Sequence, residues 1–167
     1  FVIDSFEKAG KSENIKHLER TAYWLKQLKP DADEAMLIAA ISHDIERALR
    51  DSDKKPTTQQ HQEKGAEIMA NFLEKQNAPR ELINKVKNLI SKHEIGGTDE
   101  ENLIKDADSV SFLENQVDIF IACVPQETSK EKTLEKFDLM YDRISSPEAK
   151  KLAEPFYENA VSKLNKK

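Results

Sequence analysis

The chain has 167 residues, enough for one domain with a substantial buried core, so a second folding unit is not required. Its charged residues are mixed in sign, and the net charge of −5 argues against the basic surface that binds a nucleic-acid backbone. No stretch approaches the about 20 apolar residues of a membrane span, and a single cysteine excludes a disulfide framework, so we expect a soluble, cytoplasmic protein.

The composition predicts an all-α fold. Only four glycines and six prolines occur in a chain rich in Ala, Leu, Glu, Lys and Gln, which lose little on entering a helix. Apolar residues recur at helical spacing in several segments, and no convincing strand is found. The predicted helices are 4–28, 33–49, 61–75, 79–94, 99–113, 128–144 and 147–165. We therefore expect one domain over residues 1–167, a bundle of about seven helices that ends with C-terminal helices over about 128–165.

Three local signals refine the first half of this bundle. Gly10 indicates a break in the first helix, and Asp33 is a plausible N-cap for the second, which runs to about Leu49. The stretch 50–60 is polar and contains Pro56. It is too short to link two domains, but it suits an active-site loop that acts as a lid.

The four histidines and two of the aspartates fall on apolar sides of predicted helices or at their starts. His43 and Asp44 follow Ala39 and Ala40 by four residues, so both should point inward from the central helix. An ionised carboxylate beside an apolar stripe is costly to bury without a cation. The same positional argument applies to His17, His61, His93 and Asp108. These six side chains predict a buried site for one or two divalent cations, with Mn, Fe, Co, Ni, Zn and Mg all compatible.

The order of these residues resembles the H…HD…D signature of the HD superfamily. His17 comes first, the pair His43-Asp44 lies in LIAAISHDIER, and Asp108 lies in LIKDADSVSFLE. The segments HQEKGAEIM, LISKHE and YDRISSPEAKKLAEPFYENA are also similar to parts of small HD-domain hydrolases. The resemblance therefore covers nearly the whole chain.

This resemblance implies a helical bundle around a divalent metal that hydrolyses phosphoester or phosphoanhydride bonds, often in nucleotides. The implied metal ligands are His17, His43, Asp44 and Asp108. Asp106 is then left as a supporting or helix-capping residue. His61 and His93 fall where dinuclear members bind a second metal and where mononuclear members contact the substrate phosphate, and both alternatives stay open.

For catalysis on a small phosphorylated substrate, we expect roles for Asp44 and Arg20. Arg20 follows His17 by one helical turn and is the favoured cation for charge that develops on the leaving oxygen. Weaker candidates for substrate contact are Glu46, Arg47, Lys64 and Lys92. No nucleic-acid or membrane partner is expected.

Two other functions remain open from the sequence. One is a non-catalytic binding or regulatory HD module, in which the metal only joins helices. The other is a di-iron oxygenase, because related scaffolds use six His and Asp ligands to activate oxygen. Two HD subclasses are disfavoured: the acidic pair of stringent-response hydrolases is replaced by Glu46-Arg47, and His93-Glu94 is not followed by the Gly-Tyr-Pro of cyclic di-GMP phosphodiesterases.

Overall fold

The computed structural model describes residues 1–50 and 56–167, and every regular element in these two ranges is helical. The α-helices are α1 (Val2–Lys8), α2 (Ile15–Leu28), α3 (Glu34–Ser42), α4 (Ile45–Leu49), α5 (Thr58–Lys75), α6 (Arg80–Ile90), α7 (Asp99–Asn115), α8 (Val117–Ala122), α9 (Lys130–Asp142) and α10 (Pro147–Asn165). A 3₁₀ turn at Ser12–Asn14 precedes α2. The all-α prediction is confirmed. None of the described helices combines the length and apolarity needed to cross a membrane.

The described ranges contain ten α-helices where about seven were predicted, because two predicted helices are interrupted and α8 was missed. The break expected near Gly10 is confirmed, and this residue has a φ of 67°, which glycine adopts without steric cost. The central helix does not run unbroken to Leu49, since it is interrupted at His43 and Asp44. Gly65 of α5 lies against this break, where a Cβ would come within 3.3 Å of the His43 carbonyl oxygen.

Two further boundaries differ from the sequence prediction. The helix expected over 79–94 ends at Ile90, so His93 lies in the turn that follows α6. Of the polar loop expected at 50–60, residues 51–55 lie outside the described residues. The end of that stretch is helical, because Thr57 accepts a hydrogen bond from the backbone of Gln60 and forms a capping box that starts α5.

Helix α7 forms the centre of the fold and packs against α2, α3, α9 and α10. A capping box between Thr98 and Glu101 fixes its start, and Ile104, Val110 and Leu113 are among its buried apolar side chains. Several of its polar residues, among them Asp106 and Asp108, are buried as well, which is unusual for a helix of 17 residues. The packing therefore places carboxylates of α7 inside the bundle.

Asp106 of α7 joins this central helix to the start of α10. Its carboxylate accepts hydrogen bonds of 2.8 Å from the backbone amides of Ser145 and Ser146, and Ser146 is the N-cap of α10. Asp106 thus supports the start of α10, which agrees with the supporting or helix-capping position expected for it. Asp108, two residues later, takes no part in this contact.

Candidate metal centre

The four histidines and the two predicted aspartates meet in one buried cluster at the centre of the fold. Its members are His17, His43, Asp44, His61, His93 and Asp108, and each is less than a tenth exposed. Neighbouring histidine rings have centroids 5.0–5.4 Å apart. Five segments of the chain therefore meet here: α2, the α3–α4 break, α5, the turn after α6, and α7.

Two of the histidines are each held by a hydrogen bond to a backbone carbonyl at a helix end. His43 Nδ1 donates to the carbonyl of Ala40 at 2.9 Å, and His93 Nδ1 donates to the carbonyl of Ile90 at 2.8 Å. A carbonyl only accepts, so Nδ1 carries a proton in each ring, and Nε2 is the nitrogen whose lone pair can bind a metal. Both Nε2 atoms are buried, with no hydrogen-bond partner among the described residues. Such atoms are available to a ligand, and a metal ion could bind them.

The other two histidines are oriented in the same sense by side chains. Ser111 Oγ donates to the backbone carbonyl of His17 at 2.7 Å, so it accepts from His17 Nδ1 at 2.9 Å. His61 Nδ1 donates to Glu46 Oε2 at 2.7 Å. All four rings therefore use Nδ1 outward and Nε2 toward the cluster, which is the usual arrangement of metal-binding histidines.

Asp44 lies between two potential metal sites. Its Oδ1 is 2.9 Å from His61 Nε2 and 3.9 Å from His93 Nε2, and its Oδ2 is 3.8 Å from His43 Nε2. The ligand atoms of His17, His43 and Asp44 all lie within 4.8 Å of one another, as do those of Asp44, His61 and His93. Each set can hold a metal ion, and Asp44 belongs to both.

Asp108 adds a second carboxylate to the first of these sets. Its Oδ1 is 3.1 Å from His17 Nε2 and 3.5 Å from His43 Nε2. Its Oδ2 pairs with Arg143, whose guanidinium also binds Glu94 and donates from Nε to Ser109 Oγ at 2.8 Å. Arg143 thus neutralises one carboxylate oxygen and leaves the other for the cluster.

The electrostatics of the metal-free cluster favour a cation. Burial lowers the pKa of His43, but Asp44 and Asp108 outweigh it and raise this pKa to about 9. Burial and the nearby charge of His43 lower the pKa of His93 to about 4. Burial alone would raise the pKa of both aspartates, yet neighbouring cationic groups hold both values well below the usual range. Both carboxylates are therefore ionised at neutral pH.

Of the residues predicted to contact substrate, Arg47 lies at the cluster and Glu46 supports it. Arg47 Nε is 2.8 Å from Asp44 Oδ2. Glu46 is buried and accepts from Arg50 at 2.7 and 2.9 Å and from His61, so it orients the histidine. Its contact with a substrate stays a prediction.

The other predicted cations are not part of the cluster. Arg20 donates two hydrogen bonds, of 2.8 and 2.9 Å, to Glu114 and lies over the Tyr23 ring, so its expected catalytic role has no support in its position. Lys64 pairs with Glu67 on the exposed face of α5. Lys92 is exposed in the turn after α6.

A cavity of about 210 Å³ adjoins the cluster. His17, Asp44 and Asp108 line one end, and Arg47 and Lys136 add positive charge. The remainder of the wall is mixed: Phe112, Ile119, Phe120 and Met140 are apolar, whereas Glu13, Asn14, Glu94 and Gln116 are polar or acidic. Sequence spacing did not single out Lys136 or Arg143, since both come from the distant α9 region.

The model of the family described as "Domain of unknown function (DUF4202)" matches residues 3–164 of the chain. The chain belongs to the DUF4202 family. No curated protein and no solved structure matches it. The segment matched by the DUF4202 model contains the whole cluster together with Arg143 and Lys136.

Replacing Glu46 by Gln is expected to weaken metal binding at Asp44, His61 and His93 by about 10- to 100-fold, because a carboxamide can turn its NH₂ toward His61 and no longer fixes that ring. This change is measured by calorimetric titration with Mn²⁺ or Zn²⁺ of protein from which a chelator has removed all metal. Glu63→Gln, at an exposed position of α5, is the matched control and should bind like the wild type. Equal affinities in the two variants would contradict the supporting role.

Metal affinity is also expected to depend on pH through His43. Its pKa of about 9 means that the metal-free protein carries a proton that a metal must displace at neutral pH. The apparent affinity should therefore rise about tenfold per pH unit for each displaced proton between pH 7 and pH 9, and flatten above that range. Calorimetry in two buffers of different ionisation enthalpy counts the released protons. Binding without proton release at pH 7.5 would contradict a metal at His43.

Proposed function

We propose that this protein is an HD-type, metal-dependent phosphohydrolase that acts on a small phosphorylated compound. The observation that carries the proposal is the cavity in which the candidate metal ligands meet two cations, Arg47 and Lys136. The HD resemblance receives support from the cluster, because the motif residues His17, His43, Asp44 and Asp108 come together in space.

The residues present fit two divalent cations. His17, His43, Asp44 and Asp108 would hold one, and Asp44, His61 and His93 would hold the other. Imidazole and carboxylate ligands suit Mn, Fe, Co, Ni or Zn, and Mg is compatible through the carboxylates. A bound cation of this kind lowers the pKa of a coordinated water toward about 7 and polarises a phosphoryl oxygen.

Arg47 and Lys136 would bind the phosphoryl oxygens. Arg47 is held beside Asp44, and this carboxylate raises the pKa of the guanidinium, so the charge persists at any relevant pH. Lys136 forms no ion pair with any residue in the described ranges, and its Nζ lies 5.3 Å from the centroid of the Phe112 ring. Burial and Arg143 lower the pKa of Lys136. An anionic substrate would provide the counter-charge that this lysine lacks.

The reaction would be hydrolysis of a phosphoester. Water adds its oxygen to phosphorus, the bond from phosphorus to the leaving oxygen breaks, and that oxygen takes up a proton. For a phosphomonoester the products are an alcohol and inorganic phosphate. In this scheme Arg143 positions Asp108, while Arg47 and Lys136 oppose the negative charge on the phosphoryl group.

A di-iron oxygenase is the second candidate, because Asp44 belongs to both potential metal sets. A di-iron oxygenase would contain two irons per chain and would give the spectroscopic signal of a mixed-valent iron pair. The cations Arg47 and Lys136 favour phosphoryl chemistry over oxygen chemistry, since oxygen carries no charge for them to bind. A regulatory module would bind a phosphorylated ligand in the same cavity without turning it over.

The Lys136→Met variant tests the hydrolase. After loading with metal, we expect its KM for a phosphoester to rise by about 10- to 100-fold, because a charge-assisted hydrogen bond is lost, while its metal content is unchanged. The assay uses a panel of phosphomonoesters, nucleoside triphosphates and cyclic nucleotides. Lys132→Met is the matched control, since this exposed lysine lies one turn earlier on α9 and should leave the KM unchanged.

Three outcomes decide between the functions. Turnover that depends on metal and weakens in Lys136→Met supports the hydrolase. A folded, metal-loaded protein without turnover across the panel would contradict it. In that case, tight binding of phosphorylated ligands would favour the regulatory module.

A further inference from the structure

The side chains of α7 and of the residue that follows it divide the cavity along its length. Asp108, Phe112 and Gln116 are spaced by four residues, which places them on one face of the helix, and all three line the cavity. Two helical turns separate the first from the last, about 12 Å along the axis. The cavity therefore has a carboxylate end at the histidine–aspartate cluster and a carboxamide end at Gln116.

Gln116 lies at the carboxamide end and is almost fully buried. Its side chain is 6 % exposed, and its Nε2 makes no hydrogen bond with any residue in the described ranges. A buried amide without a partner costs free energy, and the group can turn to present either its donor or its acceptor. Gln116 is thus equipped to bind a polar group of a ligand.

Apolar side chains form part of the wall, beside the polar and acidic residues Glu13, Asn14 and Glu94. The rings of Phe112 and Phe120 pack edge to face with centroids 5.2 Å apart, and Met140 also lines the cavity. These apolar side chains suit a short carbon skeleton. The cavity of about 210 Å³ is smaller than the roughly 300–1,000 Å³ of pockets for drug-sized ligands, which favours a small ester over a nucleoside triphosphate.

We infer that the substrate is a phosphomonoester of sugar or polyol size, with a hydroxyl or carbonyl group at the end opposite the phosphate that hydrogen-bonds to Gln116. This inference rests on the proposed function. Lys136 and the metal-loaded histidine–aspartate cluster bind the phosphate. Phe112 and Phe120 contact the carbon skeleton, and Gln116 selects the leaving group. Gln116 is therefore a specificity residue, remote from the phosphorus atom.

Phosphonates test this assignment without turnover. The probes are 3-hydroxypropyl-, 4-hydroxybutyl- and 5-hydroxypentylphosphonate, each compared with the alkylphosphonate of the same chain length, and inorganic phosphate reports on the phosphate end. Calorimetry on the metal-loaded protein gives each Kd. We expect at least one hydroxylated probe to bind about tenfold more tightly than its parent, the discrimination given by one net hydrogen bond.

In the Gln116→Leu variant, the Kd values of the hydroxylated probe and its parent alkylphosphonate should differ by no more than about twofold. The Kd of phosphate should stay unchanged. Gln76→Leu makes the same chemical change at an exposed position and should retain the discrimination. A loss of affinity for every probe in Gln116→Leu would indicate a structural role only and would overturn the inference. Equal binding of each pair by the wild type would also overturn it, while phosphate binding would leave the proposed function standing. Absence of binding by phosphate and all phosphonates would count against both.

Discussion

The fold depends on two ionised carboxylates, Asp44 and Asp108, that are buried among four histidines. Placing such charges in the interior is costly unless a cation balances them. Arg47 and Arg143 balance part of the charge from the rim, and each binds one oxygen of its aspartate. The oxygens that remain face histidine nitrogens, and the Nε2 atoms of His43 and His93 make no hydrogen bond with any residue of the described ranges. A metal ion would satisfy both needs at once, because it accepts lone pairs and neutralises charge.

This requirement explains details that are otherwise unrelated. The central helix breaks at His43 and Asp44, and α6 ends before His93. In both places the histidine Nδ1 therefore donates to a carbonyl of the preceding helical turn. Gly65 leaves room for the first break. The supporting carboxylate of Glu46 reaches His61 from α4. Each device fixes which nitrogen faces the cluster, as metal binding requires.

Local signals in the sequence predicted much of the fold. Asp33 begins its helix as expected, by accepting from the Met36 amide, and the break near Gly10 follows from the backbone freedom of glycine. Helical spacing predicted inward positions for all six candidate ligands, and they do meet, although His43, Asp44 and His93 lie at helix ends and not within helices. The spacing could not predict the break at Asp44, because a long apolar run fits a continuous helix equally well and tertiary packing decides.

Long-range pairing was beyond the sequence. Arg20 has the right spacing from His17 to face the cluster, yet Glu114 binds it from a position 94 residues away. Arg143 lies beside Asp108, which helical periodicity did not predict, because the two residues are 35 apart and Arg143 directly follows α9 whereas Asp108 belongs to α7. A single sequence gives the face of a helix on which a charge lies, but not which distant charge will meet it.

The most direct test of the account is the metal content of protein purified without chelator. Elemental analysis should find about two divalent ions per chain in the wild type and about one in the His61→Ala/His93→Ala variant. His43→Ala/Asp44→Ala should retain none, because Asp44 serves both sets, whereas the exposed Lys64→Ala should match the wild type. A folded wild-type chain that neither contains nor takes up a divalent ion would contradict the central claim.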